Sequence, residues 1–350
     1  MSTPRATDIP WEWTHPPVAP APPLRDLLRR DARAEALRYH VADRVEGALA
    51  AFPAEALRGL SPETASGVGA RVLGTALALE GRGSLARNRM ARAVAALRPD
   101  LGAHDREALL RRWYANAGRA LAEFGHLGAI CAPPRTRVEG LEHLHAAEAA
   151  GPVVMVGVHT GLWEMSSLLN ARLHEGPFTA AWQPMGNRYV DGMIGRVRRR
   201  HGLRLLPASP LLARRLLRFM GAPGAGVVML IDELSEGSIR FPLFGRAPAR
   251  HCNASFALRA ARHAGGSVVP FTCRRLEGPT FAWAYHPPLR VGAGEVGVAD
   301  GQRALDAIFA PLVRADLDQW LVLPALELDG TPVGGFVRGP AAAAALPPRR

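Results

Sequence analysis

The chain has 350 residues, 48% of them apolar and 21% charged, enough for one large globular domain or one domain with a helical extension. Its formal net charge of +12, carried by arginine, points to an anionic partner: nucleic acid, acidic lipid or a phosphorylated carrier. Cys131, Cys252 and Cys273 are far apart and form no C-x-x-C pair, which leaves no basis for a zinc site or a disulfide framework and makes a reducing cytosol the default.

Residues 1–24 are rich in proline and carry Trp11 and Trp13, an irregular arm whose tryptophans dock either at a membrane interface or on the protein's own surface. There is no signal-peptide core. Residues 25–130 have helical periodicity and few β-branched residues. The run from Val68 to Leu79 is the most apolar, but Arg71 interrupts it and it falls short of the roughly 18 residues a spanning helix needs. A helix through Asn88 to Leu97 precedes a strongly amphipathic one that starts near Asp105, with Leu109, Leu110, Trp113, Tyr114, Ala117, Leu121 and Phe124 on its apolar side.

Residues 131–335 alternate strand-like and helix-like segments. The predicted strands are Arg137–Glu139, Val153–Val158, Phe178–Trp182, Leu203–Leu206, Val227–Ile231, Val268–Thr272 and Phe281–Tyr285. With helices between most of them, they predict an α/β fold: a mainly parallel central sheet flanked by helices, behind a helical N-terminal extension. Residues 336–350 form a low-complexity Ala/Pro tail, read as disordered.

One stretch carries a chemical signal. Gly151-Pro152 opens a valine-rich run that reads as a strand buried on both faces and ends at His159; an apolar-periodic segment follows from Leu162. The carboxyl end of a buried strand is where α/β sheets present reactive groups. Glu164, five positions on and about one helical turn into that segment, is placed to fold back and orient the imidazole as a general base. His143 and Glu148 have the same spacing but lie on a polar helix with no strand before it, so a solvated helix face is expected for them.

Two later segments end on the same edge. Trp182-Gln183-Pro184-Met185-Gly186-Asn187 reads as a strand end and turn, followed by a helix carrying Arg196, Arg198, Arg199 and Arg200, cations that favour a helix C-terminus. Gly226 to Ile231 is a second buried strand, closed by Asp232 and Glu233.

In order, these blocks resemble the bacterial lipid A biosynthesis acyltransferase family, which includes late lauroyl and myristoyl transferases and related mannoside acyltransferases. His159 to Glu164 is similar to its H-x4-D/E motif. Arg89, Pro99-Asp100, Arg119 and Glu123 resemble its helical lead-in. The turn through Asn187 with the arginines after it resembles the second block, Asp232-Glu233 with Gly237 and Pro242 to Ala249 the third. Val268-Val269-Pro270 and Gln319-Trp320 resemble its later strand and its close. Gln183 stands where the family often has Arg, Glu233 where it usually has Gln.

The resemblance spans roughly Asn88 to Leu321 and implies a glycerolipid-acyltransferase-like core. It implies transfer of a fatty acyl group from an acyl carrier protein or CoA thioester to a hydroxyl of a lipid A precursor or related glycolipid, as an O-acyltransferase. In that reading His159 is the base, Glu164 its orienting carboxylate, Arg198 the residue facing the acceptor or oxyanion, and Asp232 an acceptor-positioning group. Arg196, Asn187 and Glu233 are secondary candidates. Such chemistry needs a base and oxyanion donors, with no metal or redox cofactor. No Ser or Cys lies in a nucleophile elbow, so direct transfer is expected. The expected location is the cytoplasmic face of the inner membrane, bound peripherally to its anionic surface. The competing readings are a catalytically idle lipid-binding relative and a basic nucleic-acid-binding protein. Against the latter, the basic residues are spread along the chain and no recognised nucleic-acid motif is present.

Overall fold

The computed structural model describes residues 9–16, 20–232, 234–235 and 238–328. The expectations for Glu233, Gly237, the tail at 336–350 and part of the arm at 1–24 fall outside the described residues. Of the arm, a short 3-10 turn at Trp11–Thr14 lies against the protein itself, with the Trp13 ring under Arg215 and Arg218 and with Ile9 buried.

The first half is helical. It contains α1 (Arg33–Leu37) running through a π turn into α2 (Asp43–Ala56), then α3 (Pro62–Val68), α4 (Gly74–Glu80), α5 (Leu85–Leu97), α6 (Ala103–Glu123) and α7 (Leu127–Ile130). The apolar side of α6 is buried through Leu109, Leu110, Trp113 and Tyr114, and Phe124 just after it is buried as well.

The second half alternates β1 (Thr136–Glu139), α8 (Leu141–Ala149), β2 (Val153–Gly157), α9 (Met165–Leu173), β3 (Phe178–Trp182), α10 (Arg188–Arg200), β4 (Leu206–Pro207), α11 (Leu212–Met220) and β5 (Gly226–Leu230). A two-residue pair, β6 (Leu234–Ser235) and β7 (Ser238–Ile239), precedes α12 (Asn253–His263), β8 (Ser267–Arg275), β9 (Phe281–Tyr285) and α13 (Gly294–Ala315).

Seven strands form one sheet in the order β1-β9-β8-β2-β5-β3-β4, parallel throughout except for the β8–β9 pair. All five residues of β2 are buried. Val154 and Val156 join one apolar layer with α12 and α13, while Val153 and Met155 join the other with α9 and α10. That two-residue alternation under helices on both faces explains why the strand reads as an unbroken apolar run.

One predicted strand moves. Leu203–Leu206 contracts to Leu206–Pro207, because the chain there is still closing α10. Gly202 takes φ +71° and the Leu203 N–H donates to the Arg198 carbonyl at 3.0 Å, a helix stop that delays the extended backbone.

Candidate active site

The site follows from strand register. β2 and β5 are parallel neighbours with Gly157 opposite Leu230. The Ile231 N–H continues the ladder by donating to the Gly157 carbonyl at 2.9 Å. Two residues on, the same register sets His159 beside Asp232. The His159 ring meets Asp232 through Nδ1, 2.7 Å from Oδ1, and the His159 backbone N–H donates to Oδ2 at 2.8 Å. A carboxylate only accepts, so Nδ1 carries the proton of this bond and Nε2 is the basic nitrogen. The Asp232 side chain is fully buried and that of His159 is 12% exposed, so the imidazole meets solvent at the sheet edge while its partner does not.

Two expected placements come out differently. Asp232, expected to position an acceptor, has a fully buried side chain bonded to His159. Glu164, expected to orient His159, is not one turn into a helix. Gly161 (φ +62°) reverses the chain just after His159, and α9 begins only at Met165. Glu164 therefore lies in the turn before the helix, and both its oxygens accept from Arg198 Nη2, at 3.1 and 3.2 Å. The Arg198 guanidinium stacks over the Trp182 ring, 4.6 Å from its centroid. Its Nε and Nη1 are buried without a hydrogen-bond partner. This cation is pinned by one carboxylate and one aromatic face and keeps two buried donors to spare.

The other sequence candidates separate. Arg196 is exposed on the outer side of α10. Asn187 is buried as the N-cap of α10: its Oδ1 accepts from the Tyr189 and Val190 N–H groups, and its Nδ2 donates to the Asp43 carbonyl on α2. Glu233 lies outside the described residues. His143–Glu148 is not the plain solvated face it was expected to be, because Glu148 pairs with the buried His174 across from α9.

Three contributors escaped the sequence reading. The Trp320 indole Nε1–H donates to Asp232 Oδ2 at 2.7 Å. The Leu321 N–H donates to the His159 carbonyl at 2.8 Å, so this late segment borders the motif loop. Asp191, on α10, accepts from the Met185 N–H at 2.8 Å and supports the turn before Arg198's helix. Burial pushes its carboxyl above the ordinary value, opposed by the Met185 and Gly186 N–H groups and the charge of Arg198. The Gln-Trp pair was visible as a motif fragment, but nothing in spacing joined it to Asp232. Phe244 packs edge-on against Trp320 at 5.8 Å, which accounts for the aromatic in the turn of the third block. Beneath Gly161, burial pushes the Cys273 thiol up to about 11, and it raises Cys131 to about 12, so neither is a ready nucleophile.

Among curated proteins, none matches the chain significantly. The family model described as bacterial lipid A biosynthesis acyltransferase matches residues 50–326, from α2 to the loop after Trp320, and so takes in the histidine, both carboxylates and the arginine. On a match of that extent, the chain belongs to the bacterial lipid A biosynthesis acyltransferase family.

Proposed function

We propose that the protein transfers a fatty acyl group directly from an acyl carrier protein or CoA thioester to a hydroxyl of a lipid A precursor or related glycolipid. The carrying observation is the His159–Asp232 pair at the sheet edge, a tautomer fixed with Nδ1 protonated. Nε2 takes the proton of the acceptor hydroxyl as its oxygen attacks the thioester carbonyl. The tetrahedral oxyanion collapses, the C–S bond breaks, and the imidazolium returns the proton to the departing thiolate. Asp232 stays ionised and steadies the imidazolium. Arg198, with two unpartnered buried N–H groups, faces the oxyanion or an anionic group of the acceptor, and Glu164 holds it there.

The acceptor class brings a membrane with it. No described helix is long and apolar enough to cross one. The helices α1 and α2, with the π turn between them, instead turn small or polar residues inward (Ala36, Asp43, Gly47) and leave Leu37, Val41, Val45, Leu49 and Phe52 exposed at helical spacing, the last two at 70% and 71%. Asn187 and Arg188 bind Asp43 and so fasten this helix to α10, which carries Arg198. We read this face as the contact with an anionic bilayer, which sets the acceptor's headgroup beside the site. Vesicles of phosphatidylglycerol and phosphatidylethanolamine are expected to sediment the protein, and Leu49→Ser with Phe52→Ser to leave it in the supernatant. Equal sedimentation of both proteins would remove this face from the reading.

The deciding experiment incubates the protein, and His159→Ala in parallel, with acyl carrier protein and CoA thioesters plus extracted membrane lipids. Mass spectrometry is expected to find an acylated lipid that the variant does not make. No product from either donor across a broad lipid set would sink the proposal.

A further inference from the structure

We infer that Trp320 is a positioning residue of the His159–Asp232 pair, acting through its indole N–H. This rests on the reading of His159 as base. Asp232 has no exposure and spends Oδ2 on two neutral donors, the His159 N–H at 2.8 Å and Trp320 Nε1–H at 2.7 Å. The remaining oxygen, Oδ1, is thereby turned to the ring. A buried carboxylate needs such donors to replace lost water, and two on one oxygen fix its rotation about the Cβ–Cγ bond.

The backbone around Trp320 makes the indole a fixed arm. Trp320 pairs in a β-bridge with Thr160, and the Gly161 N–H donates to the Gln319 carbonyl at 3.2 Å. The Trp320 carbonyl accepts from Trp113 Nε1 on α6 at 2.8 Å. The Gln319 side chain bonds the Arg275 backbone of β8 through both its amide atoms. One segment thus grips the loop beside the histidine by its backbone and the carboxylate by its side chain. Through this N–H Trp320 acts on the carboxylate: it sets which way the carboxylate faces.

The test removes the N–H and keeps the bulk. Replacing Trp320 by 3-benzothienylalanine puts sulfur in the place of the N–H, and Trp320→Phe is the natural-residue companion. The isosteric protein is expected to lose about ten- to a hundredfold in kcat, with KM for the thioester unchanged. The Nδ1 proton resonance of His159, identified by its loss in His159→Ala, is expected to move upfield. A role in packing alone predicts that the isostere matches the native enzyme in both readouts, even where Trp320→Phe unfolds. That result, with His159→Ala inactive, overturns this inference and leaves the base assignment standing. A His159→Ala protein that still transfers acyl groups removes both.

Discussion

At each edge of the sheet a histidine presents Nδ1 to a carboxylate. His159 meets Asp232 at the carboxyl ends of β2 and β5; His174 meets Glu148 beside the residues that lead into β3 and β5. Their exposure differs: the His159 side chain is 12% exposed. His174 Nε2 faces two backbone carbonyls, Pro177 at 3.2 Å and Gly224 at 3.0 Å, and its side chain is 1% exposed. A ring whose two nitrogens both meet acceptors has no lone pair to offer a substrate, and a buried ring meets none. On the proposed reading the same residue pair is chemistry at one edge and structure at the other, and its surroundings decide which.

The matched substitution at the catalytic edge is Asp232→Asn. Oδ2 receives two N–H donors, so the amide oxygen must take its place and the NH2 group must face His159 Nδ1. That donor forces the proton onto Nε2 and removes the base. A fall in kcat of roughly 10³- to 10⁴-fold is expected, with the unfolding midpoint little changed. A loss below tenfold would mean that Asp232 does not set the tautomer.

At the other edge the readout reverses. His174→Ala leaves Glu148 without its partner and the Gly224 carbonyl without its donor, while the Pro177 carbonyl keeps the Gly226 N–H. About 3 kcal/mol of stability is expected to go, measured by urea unfolding, while kcat per folded molecule holds. A smaller step tests the same pocket sterically. A Cβ on Gly226 would stand 2.5 Å from His174 Nε2, so Gly226→Ala is expected to cost about 1–3 kcal/mol, again without a change in kcat. Loss of turnover in either folded variant would break the division between the two edges.

How far the sequence reaches can be judged on these same residues. Unbroken apolar runs named β2 and β5, and their ends named His159 and Asp232, because burial on both faces leaves that mark in any sequence. Which partner His159 takes was not legible from spacing. The H-x4-E interval assumed helix from Leu162, whereas the turn at Gly161 postpones α9 and sends Glu164 to Arg198. The information lay in strand order: once β2 and β5 are neighbours, equal register sets His159 against Asp232. Trp320 is harder still, since its contact with Asp232 spans 88 positions and depends on how the end of the chain returns to the sheet. Glu148 misled in the opposite direction, because a polar helix hides one inward carboxylate among outward ones.

The mildest substitution discriminates best. Glu148→Gln makes the same carboxylate-to-amide change as Asp232→Asn, but Glu148 Oε2 is buried with no hydrogen-bond partner. The amide is thus free to turn its oxygen to His174 Nδ1 and place its NH2 where nothing opposes it. Because the hydrogen bond survives and only its charge assistance is lost, the expected cost is about 1 kcal/mol or less, read from the urea midpoint, with kcat unaltered. Asp232 has no such freedom, since two donors already fix which end of an amide goes where. Should the two substitutions cost activity alike, the asymmetry of donors around the carboxylates would not be what separates a catalytic pair from a structural one.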